Sequence, residues 1–182
     1  GVQASTCTAS GSYSTAMGDG TTASGDYSTS MGRSTAASAL YSTAMGRSTA
    51  ASALYSTAMG YGTDASGYFS TAMGSSTTAS ALYSTAMGDG TIASGSRSTA
   101  MGSYTTASDY ASLSIGRYNS VNSTVTAGGS ATSFDTDNAA LVIGNGTGSS
   151  TKSDAFVVYF NGNATLSGDL TINSDERLKD NI

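Results

Sequence analysis

The sequence predicts an all-β fold, a parallel β-solenoid of fourteen-residue coils. Three observations predict it. Met-Gly pairs recur on one beat at Met17, Met31, Met45, Met59, Met73, Met87 and Met101, and Ile115-Gly116 holds the next. A period kept through eight units is the signature of a repeat architecture. Ala fills one position of every unit, at Ala9, Ala23, Ala37, Ala51, Ala65, Ala79, Ala93 and Ala107. Finally, each unit carries Gly with Ser and Thr, which disfavour helix, and lacks the paired apolar positions a coiled coil needs.

The idealised unit reads A-S-G-x-Y-S-T-A-M-G-x-x-T-x. Ser-Thr-Ala-Met makes one strand and Thr-x-Ala-Ser a second, with the Gly11-type and Gly18-type positions at the corners, where glycine turns the chain cheaply. Side chains alternate faces along a strand. Thr15 and Met17 therefore share one face, Ser14 and Ala16 the other. The expectation is that the Met17-type residues and Ile115 form a column inside the stack. Ala23, Ala37, Ala51, Ala65, Ala79 and Ala93 would face them as the rest of the structural core. Eight stacked coils give a rod on the order of 40 Å long. The repeat spans residues 1–119.

Composition narrows the function. The chain has 182 residues, of which 10% are charged and 38% hydrophobic, with no Pro, Trp or His. A formal net charge of −5 argues against nucleic acid or an anionic membrane as a direct partner. No apolar run approaches a membrane span and no signal-peptide pattern is visible. The start at Gly1 suggests a mature fragment or a piece of a longer chain. Cys7 stands alone at a position usually held by Thr, and reads as a small side chain. No metal-ligand cluster or phosphate loop is present, so neither metal nor cofactor is expected. Asp19-Gly20 and Asp89-Gly90 read as turn formers rather than calcium ligands. Three glycosylation sequons begin at Asn122, Asn145 and Asn163, and such triplets arise readily by chance in a Ser/Thr-rich chain.

One coil cannot hold itself up. Fourteen residues lose roughly 1–2 kcal/mol of backbone entropy each, against one Met and an Ala to bury. The small Ser/Ala face then looks made for another chain. The expected partner is the chain itself, in a homotrimer around the rod axis, with end-to-end filaments as a variant.

The run S-T-A-M-G-x-x-T-x-A-S-G resembles the head repeats of trimeric autotransporter adhesins, over about residues 4 to 119. The resemblance implies trimers of left-handed parallel β-rolls with fourteen-residue coils. Met in place of Ile or Val, and an aromatic column, depart from that pattern. The column is Tyr13, Tyr27, Tyr41, Tyr55, Phe69 and Tyr83. Two readings of it stand: a structural stacking ladder, or an exposed stripe that binds a glycan or a surface.

The beat fails after Ile115. Residues 120–173 read as a β-rich neck. Ala140-Leu141-Val142-Ile143 is a buried strand, Ala155–Phe160 a strong one, Asn161-Gly162 a hairpin turn, and Ala164-Thr165-Leu166 the return. Leu170-Thr171-Ile172 follows another turn. The ending S-D-E-R-L-K-D-N-I (174–182) resembles the opening of the intramolecular chaperone of phage tail spikes and fibres, the endosialidase-type self-cleaving family. That resemblance implies Ser174 and Lys179 as a self-cleaving dyad, with Lys179 taking the Ser174 proton. The chemistry-free reading makes Ser174 a helix N-cap. Autoproteolysis in a full-length precursor is the only enzyme activity expected.

The sequence thus points to a structural and adhesive component of an extracellular trimeric fibre. It would be a virion appendage resembling a phage or virus tail fibre, or alternatively a bacterial surface adhesin, with an unidentified host surface or glycan as receptor. An ice- or glycan-binding solenoid is the remaining class, weakened by the expectation that Thr15 points inward.

Overall fold

The computed structural model describes residues 6–169. It is all-β, with no helix among the described residues. Each coil contributes one long and one short strand. The short strands are β1 (Thr8–Ala9), β3 (Thr22–Ala23), β5 (Ala36–Ala37), β7 (Ala50–Ala51), β9 (Asp64–Ala65), β11 (Thr78–Ala79), β13 (Ile92–Ala93) and β15 (Thr106–Ala107). The long ones are β2 (Thr15–Asp19), β4 (Thr29–Arg33), β6 (Thr43–Arg47), β8 (Thr57–Tyr61), β10 (Thr71–Ser75), β12 (Thr85–Asp89), β14 (Thr99–Ser103) and β16 (Leu113–Arg117). The short strands form one parallel sheet of eight. The long strands pair in parallel so that Met17 meets Met31, and so on up to Met101 and Ile115.

The alternation along the long strand holds, but its inward face is the opposite of the one expected. Ala44, Ala58, Ala72, Ala86 and Ala100 are fully buried and pack against the equally buried Ala37, Ala51, Ala65, Ala79 and Ala93. Thr15-type and Met17-type residues point outward: Met17 is 54% exposed and the later methionines are half-buried. The methionines and Ile115 are therefore not the interior core. The reason is width. Two sheets joined by turns of a few residues leave room for facing Ala columns, and a Met column there would overpack the coil. Because the side-chain period is two, one choice of face moves the whole set.

The Gly18-type column also differs from expectation. These glycines lie within the long strands, with φ of 119–127° from Gly18 to Gly102. A Cβ on Gly60 would sit 2.0 Å from the Gly74 carbonyl oxygen, so successive backbones touch. The corner falls two residues later, where Gly20, Ser34, Ser48, Gly62, Ser76, Gly90 and Tyr104 take left-handed φ of 53–63°.

The interior also holds hydroxyls. Thr21, Thr49, Thr63, Thr77 and Thr91 have buried Oγ1 atoms without a hydrogen-bond partner. Thr35 differs because Ser30 replaces the inward Ala of its coil, and the two hydroxyls bond at 2.6 Å.

At the C-terminal end the two sheets finish differently. The long-strand sheet continues into β17 (Ala139–Asn145), parallel to β16, then β18 (Asp154–Tyr159) and β19 (Ala164–Leu166), both antiparallel. It reaches eleven strands. These three strands and the Asn161-Gly162 turn lie where the sequence suggested them; Leu170-Thr171-Ile172 falls outside the described residues. The short-strand sheet ends at β15, and side chains close its edge. Asn119 Oδ1 accepts from Thr106 N at 2.7 Å while its Nδ2 donates to Thr106 O at 2.8 Å, as a next strand would. Asn122 Oδ1 accepts from Ser108 N and Asp109 N at 2.7 and 2.6 Å. The buried Asp109 carboxylate in turn accepts from Thr126 N, Thr126 Oγ1 and Ala139 N. An open sheet edge invites pairing with another chain, and these amides block it.

Candidate functional site

The outward face of the long-strand sheet carries a continuous stripe. Cross-strand partners share a face, so the Met column runs on through Ile115, Ile143, Phe156 and Leu166. Beside it the Thr column, from Thr15 to Thr99, gives way to Leu113, Leu141 and Val158. Eleven strands make a stripe roughly 50 Å long. Its members are partly exposed rather than buried, and apolar surface this extended marks an interaction site. The sequence held the signal, in the i, i+2 pairing of Thr with Met and of Leu141 with Ile143. What it lacked was the width of the coil interior, which decides the face. Thr15 pointing outward removes one objection to an ice-binding surface; each rung still offers one Thr beside a Met, not a pair of threonines.

A second array runs along the corner that precedes each long strand. Tyr13, Tyr27, Tyr41, Tyr55, Phe69 and Tyr83 stack with centroids 4.9–5.1 Å apart and planes within 18° of parallel. Arg97 takes the next rung, its guanidinium 5.7 Å from the Tyr83 centroid and 5.1 Å from that of Tyr110. Both sequence readings meet here, since the rings stack and stay open: Tyr27 to Tyr83 are 42–49% exposed, and Tyr13 81%. The backbone makes the choice of residue costly. All six aromatic residues sit at φ between 54 and 58°, a left-handed conformation that costs an L-residue about 1–2 kcal/mol and suits Gly or Asn better. Offset stacking returns about 0.5–1.5 kcal/mol per pair beyond the burial of ring area, so the stack offsets that cost. About half of each inner ring nevertheless stays open to solvent.

The remaining candidates carry little geometry. Ser174 and Lys179 lie outside the described residues. Asp19 ends a long strand and pairs with Arg33 at 3.7 Å, both well exposed. Among the described residues no group of His, Cys, Asp or Glu is placed to hold a metal ion. Cys7 is exposed and donates to the Gly18 carbonyl. No helix of the described residues is long and apolar enough to cross a membrane.

A comparison with curated proteins finds no match. The family model described as "YadA head domain repeat (2 copies)" matches four times, at residues 9–35, 37–63, 65–91 and 93–119. Each match takes in two coils, and together they cover more than half of the chain. The fourteen-residue coils, their parallel in-register stacking and these four matches agree: the chain belongs to the YadA head domain repeat family.

Proposed function

We propose that the chain is a subunit of an extracellular homotrimeric fibre, with an adhesive role at a cell surface or on a virion. Three rolls meet along their Met/Thr faces and leave their other faces for contact with a receptor. The observation that carries this reading is the roughly 50 Å apolar stripe on the outward face of the long-strand sheet. An Ala-lined interior contributes little burial per coil, and covering the Met, Ile and Phe side chains supplies what the single chain lacks. Cyclic symmetry closes such an assembly without leaving an open interface. Family membership supports the same reading. Sedimentation equilibrium tests it: the expected mass is three times the 18.0 kDa of one chain. A variant with Met45→Asp, Met59→Asp and Met73→Asp should fall to the single-chain mass. A folded wild-type monomer would refute it.

A tail-fibre origin is the finer reading, supported by the run from Ser174 to Ile182. On that reading a precursor cleaves itself near residues 174–182, with Ser174 as nucleophile and Lys179 as base. The test is a precursor that extends beyond Ile182. Cleavage should stop in Ser174→Ala, and processing that continues in that variant rules out the dyad.

A further inference from the structure

The aromatic corner is a regular, half-open array. Aromatic carbons touch at about 3.5–4.0 Å, but the coils set the rings 4.9–5.1 Å apart. To stay in contact the rings must slip by about 3 Å along their planes, and the inner rings remain 42–49% exposed. Phenol hydroxyls line the array at four of its five inner rungs, Phe69 being the exception. A second column, Leu40, Leu54, Tyr68 and Leu82, precedes the rings and is itself partly exposed.

We propose that this corner, over the coils from Tyr27 to Tyr83, is a binding rail for an extended, uncharged polysaccharide lying along the rod. Four features select that ligand. Between Asp26 and Arg97 the two columns carry no charged residue, so nothing here recognises a charged polymer. Aromatic rungs repeating every 4.9–5.0 Å suit a chain of repeating units. A pyranose has a C–H-rich face that packs on the electron-rich face of an aromatic ring and hydroxyl edges that reach the phenols. A peptide strand would need free backbone groups, and here the N–H groups of Tyr27, Tyr41, Tyr55, Phe69 and Tyr83 are already donated to Ser12, Asp26, Leu40, Leu54 and Tyr68 carbonyls. The rail gives the adhesive reading a ligand class. It rests on that reading only for the corner remaining open once the Met faces are covered.

The test is titration calorimetry of the full chain with β-1,4-linked hexasaccharides of glucose and of N-acetylglucosamine and with their disaccharides. One of the two hexasaccharides should bind at least tenfold more tightly than its disaccharide, because it spans several rungs. A variant with Tyr41→Asn, Tyr55→Asn and Phe69→Asn should lose that binding at least tenfold. Asn accepts the left-handed backbone, so the variant should keep the wild-type circular dichroism spectrum and sedimenting mass. Wild type that binds neither hexasaccharide overturns the proposal, as does a folded variant that binds as well as wild type. If no saccharide binds and the variant changes rod-to-rod association, the rail is a contact between copies and the proposal is wrong. Sedimentation of the same samples separates failure of the rail from failure of the trimer.

Discussion

Two glycines in one coil, two residues apart, should respond very differently to the same substitution. Gly60 lies inside β8 at φ +124°, and an added Cβ would meet the Gly74 oxygen at 2.0 Å and its carbonyl carbon at 2.9 Å. Both contacts are backbone, so relief requires β8 and β10 to part by about 1 Å, against a normal strand spacing of about 4.8 Å. That disrupts ladder hydrogen bonds worth about 1 kcal/mol each and adds the cost of the backbone conformation. Gly60→Ala should therefore cost about 3–5 kcal/mol. Gly62 sits at the corner at φ +62°, where the nearest atom to a new Cβ is Ser76 Oγ at 3.8 Å. Its Ala variant meets only the left-handed penalty of about 1–2 kcal/mol, offset by about 0.4–1 kcal/mol from the stiffer unfolded chain. The other coils agree: the Gly62 position accepts Ser34, Ser48, Ser76 and Tyr104, while the Gly60 position is Gly throughout. Thermal unfolding by circular dichroism at one fixed protein concentration checks the contrast. The expected fall in Tm is about 6–20 °C for Gly60→Ala and at most about 6 °C for Gly62→Ala. Equal shifts, or a neutral Gly60→Ala, would refute the account of strand approach.

Two further substitutions probe the interior and the closed edge. Ser30→Ala leaves the Thr35 hydroxyl without its 2.6 Å partner and should destabilise by about 1 kcal/mol, whereas Ala58→Ser offers Thr63 a partner and should stabilise by up to about 1 kcal/mol; urea unfolding reads both. Asn122→Ala removes the side-chain acceptor shared by the Ser108 and Asp109 N–H groups; Ser108 keeps its backbone bond to Asn122 O, Asp109 N–H is orphaned, and the cost should be about 1–3 kcal/mol. Hydrogen exchange should then quicken first around β15 rather than in the middle of the roll.

The period, the two strands per coil and the all-Ala column were legible in the sequence because each leaves a local, repeated trace. The direction of the Met face was not. Alternation says that Thr15 and Met17 go together, and only the width enclosed by the two sheets says that Ala16 and Ala23 fill the interior between them. Gly18 and Gly20 both read as turn glycines, and only the stacked neighbour separates a close approach from a corner. The edge closure was hidden for another reason. Asn119 and Asn122 stand in for backbone across 13–14 residues, and a polar, aperiodic segment gives no sign of that pairing. The aromatic column could be read directly, although its left-handed backbone, which makes it informative, could not.

On the trimeric reading, copies of the same chain cover the methionine stripe. Peroxide oxidation of the seven methionines in the native protein, followed residue by residue with mass spectrometry, measures it directly. One roll alone leaves Met17 54% exposed and the others half-buried, open enough for attack on their thioethers. Met31 to Met101 should oxidise at least tenfold more slowly than free methionine, and this protection should disappear when the neighbouring stripe positions carry Asp. Rapid, uniform oxidation of all seven in folded wild-type protein would contradict that reading.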